Sequence, residues 1–213
     1  MGVKWLAIGG GEPTEWKPLH KLTRSARIMG LKVAVTTNGK ILRQFEADRV
    51  HVSHDCMHVK GQTWDERTAE VHTALAFYRD NGVPELGINV MMSDMEQVSI
   101  DTLRQIDCAT VLLPKPFVPP QQGWKKVLLF QLEAWAAYTT VTVDSCLATL
   151  LGQRCFQGRN SMSLNQHRQF SACSNIKPHY GRYDSLEQAW NLIRCRAQDM
   201  PGGCIMEKYI GTD

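Results

Sequence analysis

A parallel α/β fold is what this sequence predicts, and three observations predict it. Short apolar runs rich in β-branched residues alternate with helical segments from residue 3 to residue 143. Each run stops at polar residues on its carboxyl side. The last third loses this rhythm and gathers Cys146, Cys155, Cys173, Cys195 and Cys204, five of the seven cysteines. The first two observations point to a mostly parallel sheet with strands buried on both faces and helices between them. The third sets a cysteine-rich extension, residues 145–213, apart from a sheet domain over residues 1–144.

Val3 to Ile8 has the length of one buried strand. It stops at Gly9, Gly10 and Gly11, followed by Glu12 and Pro13. Such glycines can take positive φ and let another group approach the backbone. Leu19 to Met29 reads as a helix closed by Gly30. Val33 to Val35 is the next strand, ending in Thr36, Thr37, Asn38 and Gly39. Ile41 to Ala47 reads as a short helix. Arg49 to Val52 is a strand ending in Ser53, His54 and Asp55. Glu66 to Asn81 is a helix stopped by Gly82. Leu86 to Met92 is a strand, Val98 to Ile106 a helix, and Thr110 to Leu113 a strand. A Pro- and Gln-rich loop, Phe117 to Gly123, leads to a helix over Lys126 to Ala137. Thr140 to Val143 is the last clear strand. Six such units do not close an eight-stranded barrel, which leaves an open partial barrel or a doubly wound sheet.

Glu12, Thr37, Ser53, Asp55, Asn89 and Asp144 fall at the carboxyl ends of the strands, where parallel α/β folds collect ligands. The glycine run is not a phosphate loop, because no Lys-Ser or Lys-Thr follows it and the spaced nucleotide fingerprint is absent. A glutamate beside glycines suits a cationic ligand group better than a phosphate. His54, between Ser53 and Asp55, is placed to face this rim. His51, His58 and His72 read as structural or exposed.

The composition is that of a globular protein, with 43% apolar and 21% charged residues over 213 positions. A net charge of +3 without a dense Lys/Arg block does not indicate a nucleic-acid partner. No apolar run approaches the roughly 18 residues that a membrane span needs. No signal-peptide pattern is present, so a cytoplasmic setting is expected. An odd cysteine count in that setting disfavours a disulfide scaffold. Cys56 and Cys108 read as small buried hydrophobes. Thiolates converging from distant segments suit an iron–sulfur cluster or Zn²⁺, and their wide spacing leans to iron–sulfur because the tight Cys-x2-Cys knuckles of zinc sites are missing.

The segments "GGGEPT" at Gly9–Thr14, "TTNG" at Thr36–Gly39, "VSHD" at Val52–Asp55 and "GINV" at Gly87–Val90 together resemble the core of radical S-adenosylmethionine enzymes. The resemblance implies a partial (β/α)6, TIM-like barrel. It implies that Gly10, Gly11, Glu12 and Pro13 bind S-adenosylmethionine at its amino group. Thr37, Asn38, Ser53 and Asp55, with Asn89, would line the same pocket or hold the ribose and carboxylate. The family's C-x3-C-x2-C loop, which holds its [4Fe–4S] cluster, has no counterpart in this sequence. Three explanations stay open: a piece of a longer enzyme, a split enzyme whose cluster loop comes from a second protein chain, or a shortened relative with another task.

The tail is similar to SPASM or twitch extensions. Cys146, Cys155 and Cys173 match their order, with a hairpin over Ser161–Leu164 and Gln169–Ala172 before the third cysteine. By that resemblance they hold an auxiliary [4Fe–4S] cluster, with Zn²⁺ as the alternative metal. Cys204 follows a helix over 185–199 as the fourth ligand, while Cys195 inside that helix reads as a packing residue. The function implied is generation or support of a 5′-deoxyadenosyl radical that modifies a substrate, a peptide or protein being a common class. The alternative is a non-catalytic binding or scaffold subunit with a structural metal centre.

Overall fold

The computed structural model describes residues 2–55, 61–114, 123–153, 160–173 and 185–198, the side chains of the last helix only as far as Ile193. The chain divides into two compact units, Gly2–Asp144 and a second that takes in Ser145 onward.

The first unit is built on one six-stranded sheet: β1 (Trp5–Ile8), β2 (Lys32–Thr37), β3 (Arg49–Ser53), β4 (Glu85–Met91), β5 (Cys108–Leu112) and β6 (Thr140–Val143). The strands lie side by side in chain order and every neighbouring pair is parallel. A doubly wound sheet would reverse its strand order at a switch point. This one never does, as a partial βα barrel requires.

Register sorts the side chains by face. Val35, Val50 and Leu86 share one row, and Val52, Ile88, Ala109 and Val141 the next but one. Apart from half-buried Val141, these are shut from solvent. The opposite face is polar. It carries Thr36, His51, Ser53, Asn89, Thr110 and Thr142, of which Thr142 is exposed and all but His51 of the rest are half-buried. The expectation of strands buried on both faces is therefore corrected. Strand residues alternate between faces, and the polar ones fall in step on one side.

Among the described residues of this unit there are four α-helices. In α1 (Leu19–Ile28) the buried residues Leu19, Thr23 and Ala26 recur at helical spacing, and Gly30 ends it at φ 79°. In α2 (Trp64–Asp80) a capping box between Thr63 and Glu66 starts the helix, and Val71, Ala74, Leu75 and Tyr78 are buried. The remaining two are α3 (Ile100–Arg104) and α4 (Trp124–Ala136).

The helix expected over Ile41–Ala47 is irregular chain. Phe45 and Ala47 are buried at alternate positions, and Asp48 exchanges bonds with Val33: its N–H donates to the Val33 carbonyl at 2.8 Å and its carboxylate accepts from the Val33 N–H at 2.9 Å. That draws the segment out as a lead-in to β3, and seven residues are too few to nucleate a helix against it. The helix expected over Val98–Ile106 is shorter, because Ser99 caps it and a 3-10 turn over Met92–Gln97 takes up the chain before it.

In the second unit, α5 (Ser145–Leu150) buries Cys146, Leu147, Thr149 and Leu150. The antiparallel hairpin β7 (Ser163–Leu164) and β8 (Phe170–Ser171) is shorter than expected. Its Phe170, with Ala172, forms a small core with Ala189 and Ile193 of α6 (Leu186–Gln198), and Met162 packs on it. Asn165 closes the hairpin turn, its Oδ1 accepting from the N–H groups of His167 at 2.9 Å and Gln169 at 3.0 Å. Arg168 takes φ 61°, a conformation that glycine adopts more easily. Among the described residues no helix is long and apolar enough to cross a membrane.

Candidate functional site at the carboxyl rim

Glu12 caps the 3-10 turn Pro13–Glu15 that follows β1, and its side chain reaches across to β2. Oε1 accepts from the Thr14 N–H at 3.0 Å, the Thr14 hydroxyl at 2.7 Å and the Thr37 hydroxyl at 2.7 Å. Oε2 accepts from the Asn38 N–H at 2.6 Å. Burial alone would raise the carboxyl pKa, but the donors from Asn38, Thr14 and Thr37 outweigh it and hold the group below its ordinary range. Glu12 is thus an anion at neutral pH. A carboxylate offers about four acceptor sites, so the room left for a further donor is on Oε2.

Gly10 and Gly11 sit at φ 77° and 58°, and an added Cβ at either would meet nothing within 4 Å. Positive φ is what demands glycine there, and the space beyond is open. Pro13 and Thr14 are buried beneath the turn. At the end of β2, Thr37 is 1% exposed, and its hydroxyl also accepts from the Gly39 N–H at 3.1 Å. Asn38 turns its Oδ1 to the Lys40 N–H at 2.9 Å.

A residue outside the sequence-based set ties the rim together. Arg67 of α2 is 2% exposed, and its Nη2 donates both to the Asn38 carbonyl at 2.6 Å and to the Ser53 carbonyl. Its Nη1 pairs with Glu70 at 2.8 Å. One guanidinium therefore joins the carboxyl ends of β2 and β3. Its only sequence signal was a cation on the buried side of an amphipathic helix. Asn89 is centred one strand further on. Its Oδ1 accepts from His51 Nδ1 at 2.8 Å, its Nδ2 lies 3.4 Å from the Thr36 hydroxyl, and its carbonyl accepts from the His54 N–H at 2.7 Å.

Glu12, Thr37 and Asn38 are joined directly, and Asn38 to Ser53 through Arg67. Asn89 pairs in register with Ser53. Asp55 and Asn89 are not among the partners of Glu12. Asp55 instead adds its charge to Asp94, whose carboxyl is raised by burial first and by Asp55 after it. Asp144, at the end of β6, donates its N–H to the Val111 carbonyl at 2.9 Å.

His54 turns towards α2. It is fully buried and stacked on Trp64 with centroids 5.6 Å apart, and its Nε2 lies 3.2 Å from the Thr68 hydroxyl. Burial, helped by the Arg67 charge, pushes its pKa down to about 4. His51, read from the sequence as structural or exposed, is buried on the polar face. Burial lowers its pKa too, and the neighbouring charge of Arg49 acts the same way.

Of the expected tail ligands, Cys146 and Cys173 are buried, each 7% exposed. Cys155 and Cys204 lie outside the described residues, as does Cys56. The group of metal-ligand type found among the described residues is a different one: His51, Glu85 and Cys108, whose ligand atoms all lie within 4.8 Å of one another.

No protein-family profile and no curated protein sequence matches the chain. Its fold is shared with crystal structures of SuiB from Streptococcus suis. The likeness has a TM-score of 0.60 at 14% identity over 95% of this chain and 63% of SuiB. To SuiB bound to the precursor peptide SuiA it has a TM-score of 0.63 at 12% identity. To SuiB bound to S-adenosylmethionine the TM-score is 0.59 at 12% identity. The chain spans about three fifths of SuiB, covering 60% of it in both liganded structures.

Proposed function

We propose that the carboxyl rim of the first unit binds S-adenosylmethionine, and that the chain serves radical S-adenosylmethionine chemistry on a peptide or protein substrate. The single observation behind this reading is the Glu12 carboxylate, held charged and fixed by Thr14, Thr37 and Asn38 beside two open left-handed glycines. The fold it shares with SuiB, a protein known in complexes with S-adenosylmethionine and with a precursor peptide, supports the same reading.

Elementary chemistry assigns the parts. An ammonium group is met by the remaining acceptor site of Glu12 Oε2, in a charge-assisted bond. Because Glu12 is already locked, binding costs it no further side-chain ordering. Gly10 and Gly11 leave the approach clear, since no Cβ stands over it. Arg67 positions the Asn38 and Ser53 backbone without touching the ligand. Bound to a reduced [4Fe–4S] cluster, S-adenosylmethionine would take one electron from it, release methionine and so supply a 5′-deoxyadenosyl radical able to remove a substrate hydrogen atom. In the tail, buried thiols such as Cys146 and Cys173 have the softness that iron–sulfur or zinc ligation asks for, and Cys155 and Cys204 complete the proposed set.

Calorimetric titration of the anaerobically purified chain with S-adenosylmethionine tests the rim. Binding should weaken by about tenfold or more in Glu12→Gln, the loss of one charge-assisted bond. Failure of the folded wild-type chain to bind would end the proposal for the rim. One observation favours the non-catalytic scaffold reading instead: four donors from within the chain already meet the Glu12 carboxylate, three of them on Oε1. A protein that holds a peptide tightly, yet neither binds nor cleaves S-adenosylmethionine, would decide for that reading.

A further inference from the structure

Independently of the cofactor reading, we propose that His51, Glu85 and Cys108 form a site for one divalent transition-metal ion of the zinc class, and that Gly87 is the gap that lets the site assemble. His51 and Cys108 are on β3 and β5, in register on either side of Gly87 of β4. A side chain on the middle strand would normally stand between them. Here the imidazole lies across the glycine. A Cβ at Gly87 would fall 2.6 Å from His51 Nε2 and 2.5 Å from the Cys108 carbonyl oxygen, contacts no real Cβ makes. Glu85 precedes Gly87 by two residues and so shares its face.

The ring of His51 is oriented as a ligand ring. Nδ1 lies 2.8 Å from Oδ1 of Asn89, an acceptor, so Nδ1 carries the proton and Nε2 a bare lone pair. That Nε2 is buried and has no hydrogen-bond partner among the described residues, and His51 is 8% exposed. A lone pair buried in this way needs a donor or a cation. The nearest ligand-type groups are a carboxylate and a thiol, all three within 4.8 Å of one another. Tetrahedral zinc with these donors needs them about 3.5 Å apart, a closure within the reach of side-chain rotation.

Glu85 keeps capacity for the ion. One guanidinium nitrogen of Arg49 straddles its two oxygens, at 2.7 and 2.8 Å, while the same guanidinium lies over the Trp5 ring at 5.2 Å. The Glu85 side chain is 32% exposed, which gives the ion an entry path. The thiol, the imidazole and the carboxylate suit zinc rather than calcium or magnesium. Binding releases the Cys108 thiol proton to solvent and leaves the fourth position to water. Asn89, which orients the ring, also belongs to the rim, so occupancy of the site would stiffen the rim from beneath.

The test is cobalt(II) titration of the chelator-stripped full chain, followed by its thiolate-to-cobalt charge-transfer absorption, with zinc(II) melting curves alongside. Wild-type protein should take up one equivalent with a thiolate band beyond any that the tail cysteines bind, and should melt higher with zinc. Cys108→Ser, a near-isosteric change, should lose that equivalent and the melting shift. Gly87→Ala, which keeps all three ligands, should lose them too, with circular dichroism checking its fold. Iron held through Cys146 and Cys173 should be the same in Cys108→Ser as in wild type. A wild-type chain without a cobalt–thiolate band would overturn the site, as would equal stoichiometry and band height in Cys108→Ser.

Discussion

His51 and His54 lie three residues apart at the end of β3, both buried and both with lowered pKa values. Each has one ring nitrogen bonded and the other without a partner among the described residues. Their surroundings differ. His54 is stacked on Trp64 and bonded to Thr68 of α2, and it belongs to no group of three ligand-type side chains among the described residues. His51 shares its pocket with a carboxylate and a thiol, and a glycine makes the room. An unpartnered nitrogen therefore does not mark a site by itself. What marks one is the chemistry of the groups that converge on it.

Acid is the strongest lever for separating the two. The folded pKa of His54, about 4, is below the ordinary 6.5. Between those values the unfolded chain binds a proton that the folded chain refuses, so stability is intact above pH 6.5 and drains as pH falls towards 4. The loss is on the order of 3 kcal/mol. His54→Phe keeps the stacking and should flatten the curve in urea melts across this range, whereas a slope that survives the substitution would assign the loss to other groups.

Arg67→Met comes next. It takes this donor from the carbonyls of half-buried Asn38 and Ser53 and should cost about 2–3 kcal/mol in chemical denaturation. It also removes a positive charge that disfavours protonation of His54, so the folded pKa of His54 should rise towards 6.5 and the stability lost to acid through this group should shrink. An unchanged loss would mean that the charge acts elsewhere.

Glu12→Gln should cost about 1–2 kcal/mol at neutral pH. The folded pKa of Glu12 is depressed below 4.5, so its contribution holds above that value and is lost as pH falls through the folded one. The wild-type and variant curves should then converge in strong acid. Parallel curves would show that the charge contributes nothing. The smallest effect expected is that of Thr142→Val, on the exposed part of the polar face, within about 0.5 kcal/mol by the same melts. A larger loss would show that the Thr110–Thr142 hydroxyl pair, 2.9 Å apart, helps to hold that face.

Much of the fold was legible because strands and helices write different periods into a sequence. All six strands of the sheet were expected within a few residues of where they lie, and the helices that failed were short ones, where tertiary bonds such as those of Asp48 outweigh weak local preference. The rim was legible in part. Polar residues that end strands can be picked out by position, and Glu12, Thr37 and Asn38 do meet. Arg67 was missed because its role depends on a guanidinium reaching two strands at once, which no linear pattern encodes. His51, Glu85 and Cys108 were missed for a similar reason: they are 34 and 23 residues apart along the chain, and only register across three strands brings them together.

The one-directional order of the sheet has a consequence for biosynthesis. Every strand after β1 pairs with the one made just before it, so only β1 has to wait for a later partner while the ribosome is still at work. Growth at a single advancing edge lets the N-terminal half settle before the C-terminal half exists. Nascent chains halted some way past Met91 should already resist protease over β1 to β4, and digestion of those chains throughout would rule this order of assembly out.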